Sequence, residues 1–117
     1  MIHRQTDITR DKGWYAGPWS DALAVSVGYA TTGIDEPHAH AAVTEIYLVA
    51  RGTADVRVEG ETVSLRAGDM IALEPGEAHT FLRSSLDYFH FVVHTPGLSG
   101  DAARADKILV SRDRLGL

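Results

Sequence analysis

Two histidines one residue apart, followed by a carboxylate, constrain this chain more than anything else in it: His38-Ala39-His40, four residues, then Glu45. A later stretch runs Gly68-Asp69, then Glu74-Pro75-Gly76-Glu77-Ala78-His79, and adds a third imidazole. Three imidazoles and one carboxylate suit a first-row divalent ion: Fe, Mn, Ni, Co, Cu or Zn. Side chains alternate faces along a strand, so His38 and His40 point the same way. Glu45 lies an odd step beyond His40 and would face away on one straight strand. The strand must therefore end, bulge or turn within Ala41-Ala42-Val43-Thr44, and His79 must arrive from a separate strand.

The rest of the sequence reads as short strands punctuated by Gly and Pro. Leu23, Val25, Val27 and Tyr29 alternate with Ala24, Ser26 and Gly28, predicting a strand with one buried face. Ile46 to Ala50 is an apolar run stopped by Gly52. Ala54, Val56 and Val58 share a face, Glu59-Gly60-Glu61 makes a hairpin, and Val63 and Leu65 return. Met70 to Leu73 follows the turn at Gly68, and a new strand starts at His79. Tyr88 to His94 is apolar on both faces and stops at Pro96-Gly97. No stretch carries sustained helical periodicity. The pattern predicts an all-β sandwich or barrel. Residues 1–20 read as an N-terminal arm with a short strand near Ile8, residues 21–96 as the barrel core, and residues 97–117 as a charged tail with an edge strand at Ile108-Leu109-Val110.

At 117 residues the chain suits one domain with one core. A net charge of −5 without a Lys/Arg run argues against nucleic acid or an anionic membrane as partner. With no cysteine there is no disulfide framework, thiolate nucleophile or sulfur ligand, which fits a cytoplasmic protein. The opening residues lack a signal-peptide core, and no apolar run reaches the ~20 residues of a membrane-spanning helix.

The histidine pattern resembles the two motifs of the cupin superfamily. Gly33, His38, His40, Glu45 and Gly52 fill the first, with one residue fewer than usual after Gly33. Gly68, Gly76 and His79 match the second, where Glu74 replaces a Pro and Arg83 replaces an Asn. The resemblance spans about residues 20 to 95. It implies a double-stranded β-helix, or jelly-roll barrel, with one metal ion per chain in its mouth, bound by His38, His40, Glu45 and His79.

Three further residues are candidates for chemistry beside that ion. Arg83, four residues past His79, would face the same interior on a continuous strand and could hold a substrate carboxylate or enolate oxygen. Tyr47 would share the face of Glu45 as a hydrogen-bond donor. His90 would serve as acid or base if its face of the Tyr88–His94 strand lines the barrel, and would be a packing residue otherwise. By family analogy, the expected function is dioxygenase-type chemistry on a small oxygen-rich or enolisable molecule. The alternatives are a metal-dependent isomerase, lyase or cyclase, or a metal-loaded binding or structural module without turnover. Strands apolar on both faces also predict a homodimer, with the ends near Ile8 and Ile108 pairing across subunits.

Overall fold

The computed structural model describes residues 1–20 and 23–117. The expected start of the barrel core at residue 21 lies outside them. Among the described residues, ten strands make two five-stranded antiparallel sheets. One has the order β1 (Lys12–Ala16), β2 (Ser26–Ala30), β9 (Phe89–Thr95), β4 (Thr44–Arg51), β7 (Met70–Leu73). The other runs β10 (Lys107–Leu109), β3 (His38–His40), β8 (His79–Ser84), β5 (Thr53–Val58), β6 (Glu61–Arg66). This is the all-β, double-stranded β-helix architecture that the motifs imply. Among the described residues, no helix is long and apolar enough to cross a membrane.

The required break after His40 is a corner between sheets. β3 ends in a bend at Ala41 and Ala42, and β4 begins at Thr44 in the opposite sheet. Glu45 thereby recovers the inward direction that an odd step would have cost it. Between the sheets, Tyr47, Val49, Val56, Leu65, Leu73, Phe81, Tyr88 and Val92 form one core cluster that closes the barrel at the end away from His40.

Three expectations are corrected. β2 is buried on both faces, and its inward residues are Ser26, Gly28 and Ala30, which pair with His94, Val92 and His90 of β9. Val27 and Tyr29 face outward, where the N-terminal arm lies over Tyr29: the Tyr29 hydroxyl donates to the Asp7 carbonyl at 2.9 Å. The arm's strand is Lys12–Ala16, while Ile8 sits in an exposed turn. A bulge at Tyr15 leaves Trp14 opposite Gly28, so Trp14 faces the interior. A Cβ on Gly28 would stand 2.8 Å from the Trp14 ring, so only glycine admits it there. The tail holds a short helix, α1 (Gly100–Asp106), and a 3-10 turn, Arg112–Leu115, neither foreseen from its charged composition. Within this chain Ile108 pairs with Ala39 of β3.

Candidate metal centre

Three strands and two sheets deliver the four motif residues to one point. His38 and His79 sit directly opposite each other on β3 and β8, their ring centroids 4.4 Å apart. His40 follows on the same face of β3, and Glu45 reaches across from β4. Its Oε1 stands 2.8 Å from His79 Nε2 and 3.6 Å from His38 Nε2, and its Oε2 stands 3.4 Å from His40 Nε2. His79, at 1% exposure, is the deepest of the four, and His38 lies nearest the mouth.

The hydrogen bonds on the far side of each ring fix which nitrogen faces inward. His38 Nδ1 meets the Glu36 carbonyl at 2.6 Å, His79 Nδ1 the Glu77 carbonyl at 3.0 Å, and His40 Nδ1 an Asp106 carboxylate oxygen at 2.8 Å. These oxygens accept, so each Nδ1 donates outward and each ring directs its Nε2 toward Glu45. Among the described residues, His40 Nε2 is the one buried side-chain nitrogen or oxygen without a hydrogen-bond partner. A buried lone pair left open beside two more imidazoles and a carboxylate fits a divalent cation. Carbonyl and carboxylate partners on the outer nitrogens are also the usual support for metal-binding histidines.

A fifth side chain, which the motif did not predict, joins them. His94 of β9 is the register partner of Glu45, and its Nε2 lies 2.5 Å from Glu45 Oε2. His40, Glu45 and His94 make a second cluster with ligand spacing beside His38, Glu45 and His79. Trp14 packs edge-on against the His94 ring at 5.0 Å. The shared face of His90 and His94 hinted at this in the sequence, but only the β4–β9 register places His94 against the carboxylate. Burial by itself would raise the Glu45 pKa, and the four surrounding imidazoles outweigh it, holding the carboxyl well below its ordinary value. His40 moves the other way: burial works to lower its pKa, but Glu45 and Asp106 together raise it.

The three candidates for chemistry beside the histidine–carboxylate cluster separate. Tyr47 is inside, and its hydroxyl donates to Glu45 Oε1 at 2.7 Å, so it braces a ligand rather than standing free for substrate. Burial raises its pKa well above the ordinary value and keeps it protonated. His90 is also interior, on the face that lines the barrel, but behind Tyr47: its Nδ1 lies 2.7 Å from the Tyr88 hydroxyl and its ring 4.8 Å from that of Tyr47. Burial lowers its pKa to about 4, so it stays neutral.

Arg83 is outside, which corrects the expectation of a cation in the cavity. The β5–β8 register steps from Val56↔Phe81 to Asp55↔Arg83, leaving Leu82 as an extra residue. That one-residue bulge reverses parity beyond Phe81, so His79 and Phe81 point in while Arg83 points out. Its side chain is 82% exposed and donates through Nε to Asp55 at 2.5 Å. A shallow groove surrounds that pair, and a second runs along the N-terminal arm by Ile2, Tyr15 and Phe91; neither includes the histidine–carboxylate cluster.

Comparison with known proteins agrees with this architecture. KdgF from a Halomonas species superposes with a TM-score of 0.62 at 20% identity, over 80% of this chain and 88% of that one. Pac13, a nucleoside dehydratase, superposes at 0.65 with 12% identity over 95% and 96%; the Streptomyces protein has also been solved with uridine. An uncharacterised Klebsiella pneumoniae protein with a double-stranded β-helix domain matches at 0.58 with 24% identity, over 82% and 85%. At such identities these likenesses establish the fold. No curated protein sequence matches the chain. The cupin domain profile matches residues 26–94, more than half of the chain, from β2 to His94. With that match and the jelly roll in place, the chain belongs to the cupin family.

Proposed function

We propose that this cupin is an enzyme that binds one divalent first-row ion per chain through His38, His40, Glu45 and His79, and acts on a small oxygen-rich or enolisable molecule. The observation that carries the reading is the convergence of three imidazole Nε2 atoms on one carboxylate, with that of His40 unpartnered. Bound there, the ion would polarise a carbonyl or hydroxyl oxygen, or lower the pKa of a water. Tyr47 fixes the Glu45 carboxylate, and Trp14 with His94 forms one wall of the approach.

Two reaction types compete. Dioxygenase-type chemistry needs places for both O₂ and substrate on the ion. His94 crowds the same carboxylate, so fewer places stay open for O₂ and substrate together. That favours oxygen-independent lyase, dehydratase or isomerase chemistry over the oxygenase. Likeness to a nucleoside dehydratase is in keeping with it, though at fold level alone. The outward Arg83 removes the expected handle for an anionic substrate and supports a second reading, a metal-loaded barrel that holds a ligand without turnover.

The test is metal analysis of protein purified without an affinity tag, followed by parallel aerobic and anaerobic assays on enolisable hydroxy-carbonyl compounds. Equal turnover without O₂ supports the lyase or isomerase reading. Substrate loss matched by oxygen uptake would overturn it in favour of a dioxygenase, and saturable binding without product would favour the module.

We also propose a homodimer. The outer face of the β1–β2–β9–β4–β7 sheet presents Leu48, Met70 and Phe91 as a continuous exposed apolar strip, since Leu48 pairs with both Met70 and Phe91. The strip runs on toward the apolar groove by Tyr15 and Ile2, and a second copy placing the same face against it would cover both. Light scattering should give twice the 12.7 kDa chain mass at micromolar concentration. A monomer mass that Leu48→Glu leaves unchanged would refute it.

A further inference from the structure

His38 and His79 are each oriented by a carbonyl two residues earlier in the chain, just ahead of the strand each begins. His40 is not. Its Nδ1 partner, Asp106, lies 66 residues away, beyond the part of the chain that matches the cupin profile. We propose that Asp106 is a positioning residue for the metal centre, and that the C-terminal segment from Asp106 to Leu117 is a working part of that centre. This rests on the metal reading above.

Asp106 ends α1 and is buried. Every polar contact of its carboxylate goes to the corner that follows β3. Oδ2 accepts from His40 Nδ1 at 2.8 Å, and Oδ1 accepts from the Ala42 backbone N–H at 2.6 Å. The Asp106 carbonyl accepts from the Ala41 N–H at 2.9 Å. Burying a carboxylate is unfavourable unless its oxygens are satisfied, and here the groups that satisfy them are a ligand ring and the backbone that aims it. An ionised carboxylate cannot donate, so the proton stays on Nδ1 and Nε2 keeps its lone pair for the ion. A charged acceptor also makes the imidazole a stronger electron donor than a carbonyl would.

The segment behind Asp106 has the contacts needed to hold it there. β10 pairs Lys107 with His40, Ile108 with Ala39 and Leu109 with His38, covering the whole free edge of β3. The Val110 N–H reaches the Pro37 carbonyl at 3.1 Å. Leu115 is fully buried against Ala39 and Ala78, the residues beside the ligand histidines. Arg57 Nε donates to the Leu115 carbonyl at 2.7 Å, and Arg114 donates to the Gly76 carbonyl at 2.9 Å. Metal binding and tail docking are therefore coupled, and the coupling is reciprocal: the ion should tighten the tail as the tail tightens the ion.

The experiment uses the full chain as wild type, Asp106→Asn, Asp106→Ala and the control Arg104→Ala, whose lost ion pair with Asp101 is exposed and lies outside the Asp106–Leu117 segment. Zn²⁺ affinity is read by competition with a chromophoric chelator. The proton position on each imidazole is read in the metal-free protein by ¹⁵N NMR at about pH 9, above the imidazole range. Asp106→Ala should lower Zn²⁺ affinity by about 10- to 100-fold. Asp106→Asn keeps the shape but has one acceptor oxygen for two donors, so it should weaken binding too. Arg104→Ala should change nothing. In wild type the His40 proton should sit on Nδ1, and in both Asp106 variants it should move partly to Nε2.

A folded Asp106→Asn protein with wild-type affinity and an unmoved proton would overturn the proposal. So would a wild-type His40 protonated on Nε2. If wild type takes up no ion, the metal reading falls by itself, and the proton shift alone decides whether Asp106 sets the ring. Should Asp106→Ala fail to fold, the Asn variant carries the test.

Discussion

The two ends of this barrel use the same residue types to opposite effect. At the mouth, His38, His40, His79 and His94 turn toward Glu45, and backbone or carboxylate acceptors on the outer nitrogens of the first three leave their Nε2 atoms facing one point. At the closed end, His90 is also interior, yet its Nδ1 is engaged by the Tyr88 hydroxyl amid Phe81, Tyr47 and Val92. What separates a ligand from a core histidine here is therefore its partner on the other nitrogen and its depth, not its sequence neighbourhood. His90 and His94 make the point on a single strand. They share a face, but one pairs with Ala30 and Val49 and the other with Ser26 and Glu45.

The largest effect should come from breaking the mouth. In a His38→Ala, His40→Ala double variant, two of the four motif ligands vanish, and the protein should lose stoichiometric divalent metal while keeping the far-UV spectrum of a β protein. Plasma emission analysis of tag-free protein checks it. One ion per chain in the double variant would mean that the metal, if any, sits elsewhere, and the contrast between the two ends would collapse.

A smaller effect should come from the closed end, and it concerns acid stability. His90 has its pKa lowered from 6.5 to about 4 by burial, so in that interval the unfolded chain takes a proton that the folded chain refuses. The unfolded state then binds more protons, and stability falls as pH falls through the window and is regained as it rises. The full drop corresponds to about 3 kcal/mol. His90→Gln removes the titrating group, so urea midpoints of the variant should decline less between pH 7 and pH 4 than those of wild type, with metal content unchanged. Parallel curves would show that His90 accepts its proton in place, and a loss of metal would show that the two ends are not separate.

The motif half of the mouth was legible in the sequence because it depends on local rules. Strand alternation puts His38 and His40 together, and the odd step to Glu45 demands the corner that the chain makes at Ala41 and Ala42. His94 and Asp106 depend instead on which strands become neighbours and in what register, and no local pattern encodes that. β2 misled for a related reason. Alternation marks which residues share a face but not which face is the interior, and the arm over Tyr29 makes the outer face as buried as the inner one. The tail's charges concealed a single apolar anchor, Leu115, and a single buried carboxylate, Asp106. A composition rule averages such residues away.

Arg83 gives the smallest expected effect and the sharpest check on parity. Had β8 continued without interruption, the guanidinium would stand in the cavity, and its removal would weaken binding of an acidic ligand and relieve a buried charge. The extra residue at Leu82 turns it outward instead, into an ion pair with Asp55 in which the arginine is 82% exposed. Exposed pairs of this kind contribute about 0–1 kcal/mol, because water and salt screen the attraction and two side chains must be held in place. Asp55 also keeps a second partner in Ser64, whose hydroxyl donates to it at 2.8 Å, so losing Arg83 does not strand the carboxylate. Arg83→Ala should therefore cost less than ~1 kcal/mol in urea unfolding, with the difference shrinking further in molar salt, and should leave metal content and ligand affinity at wild-type values. A tenfold or greater loss of affinity for an acidic ligand would place the guanidinium at the mouth, and would mean that β8 runs in solution without the bulge that separates Phe81 from Arg83.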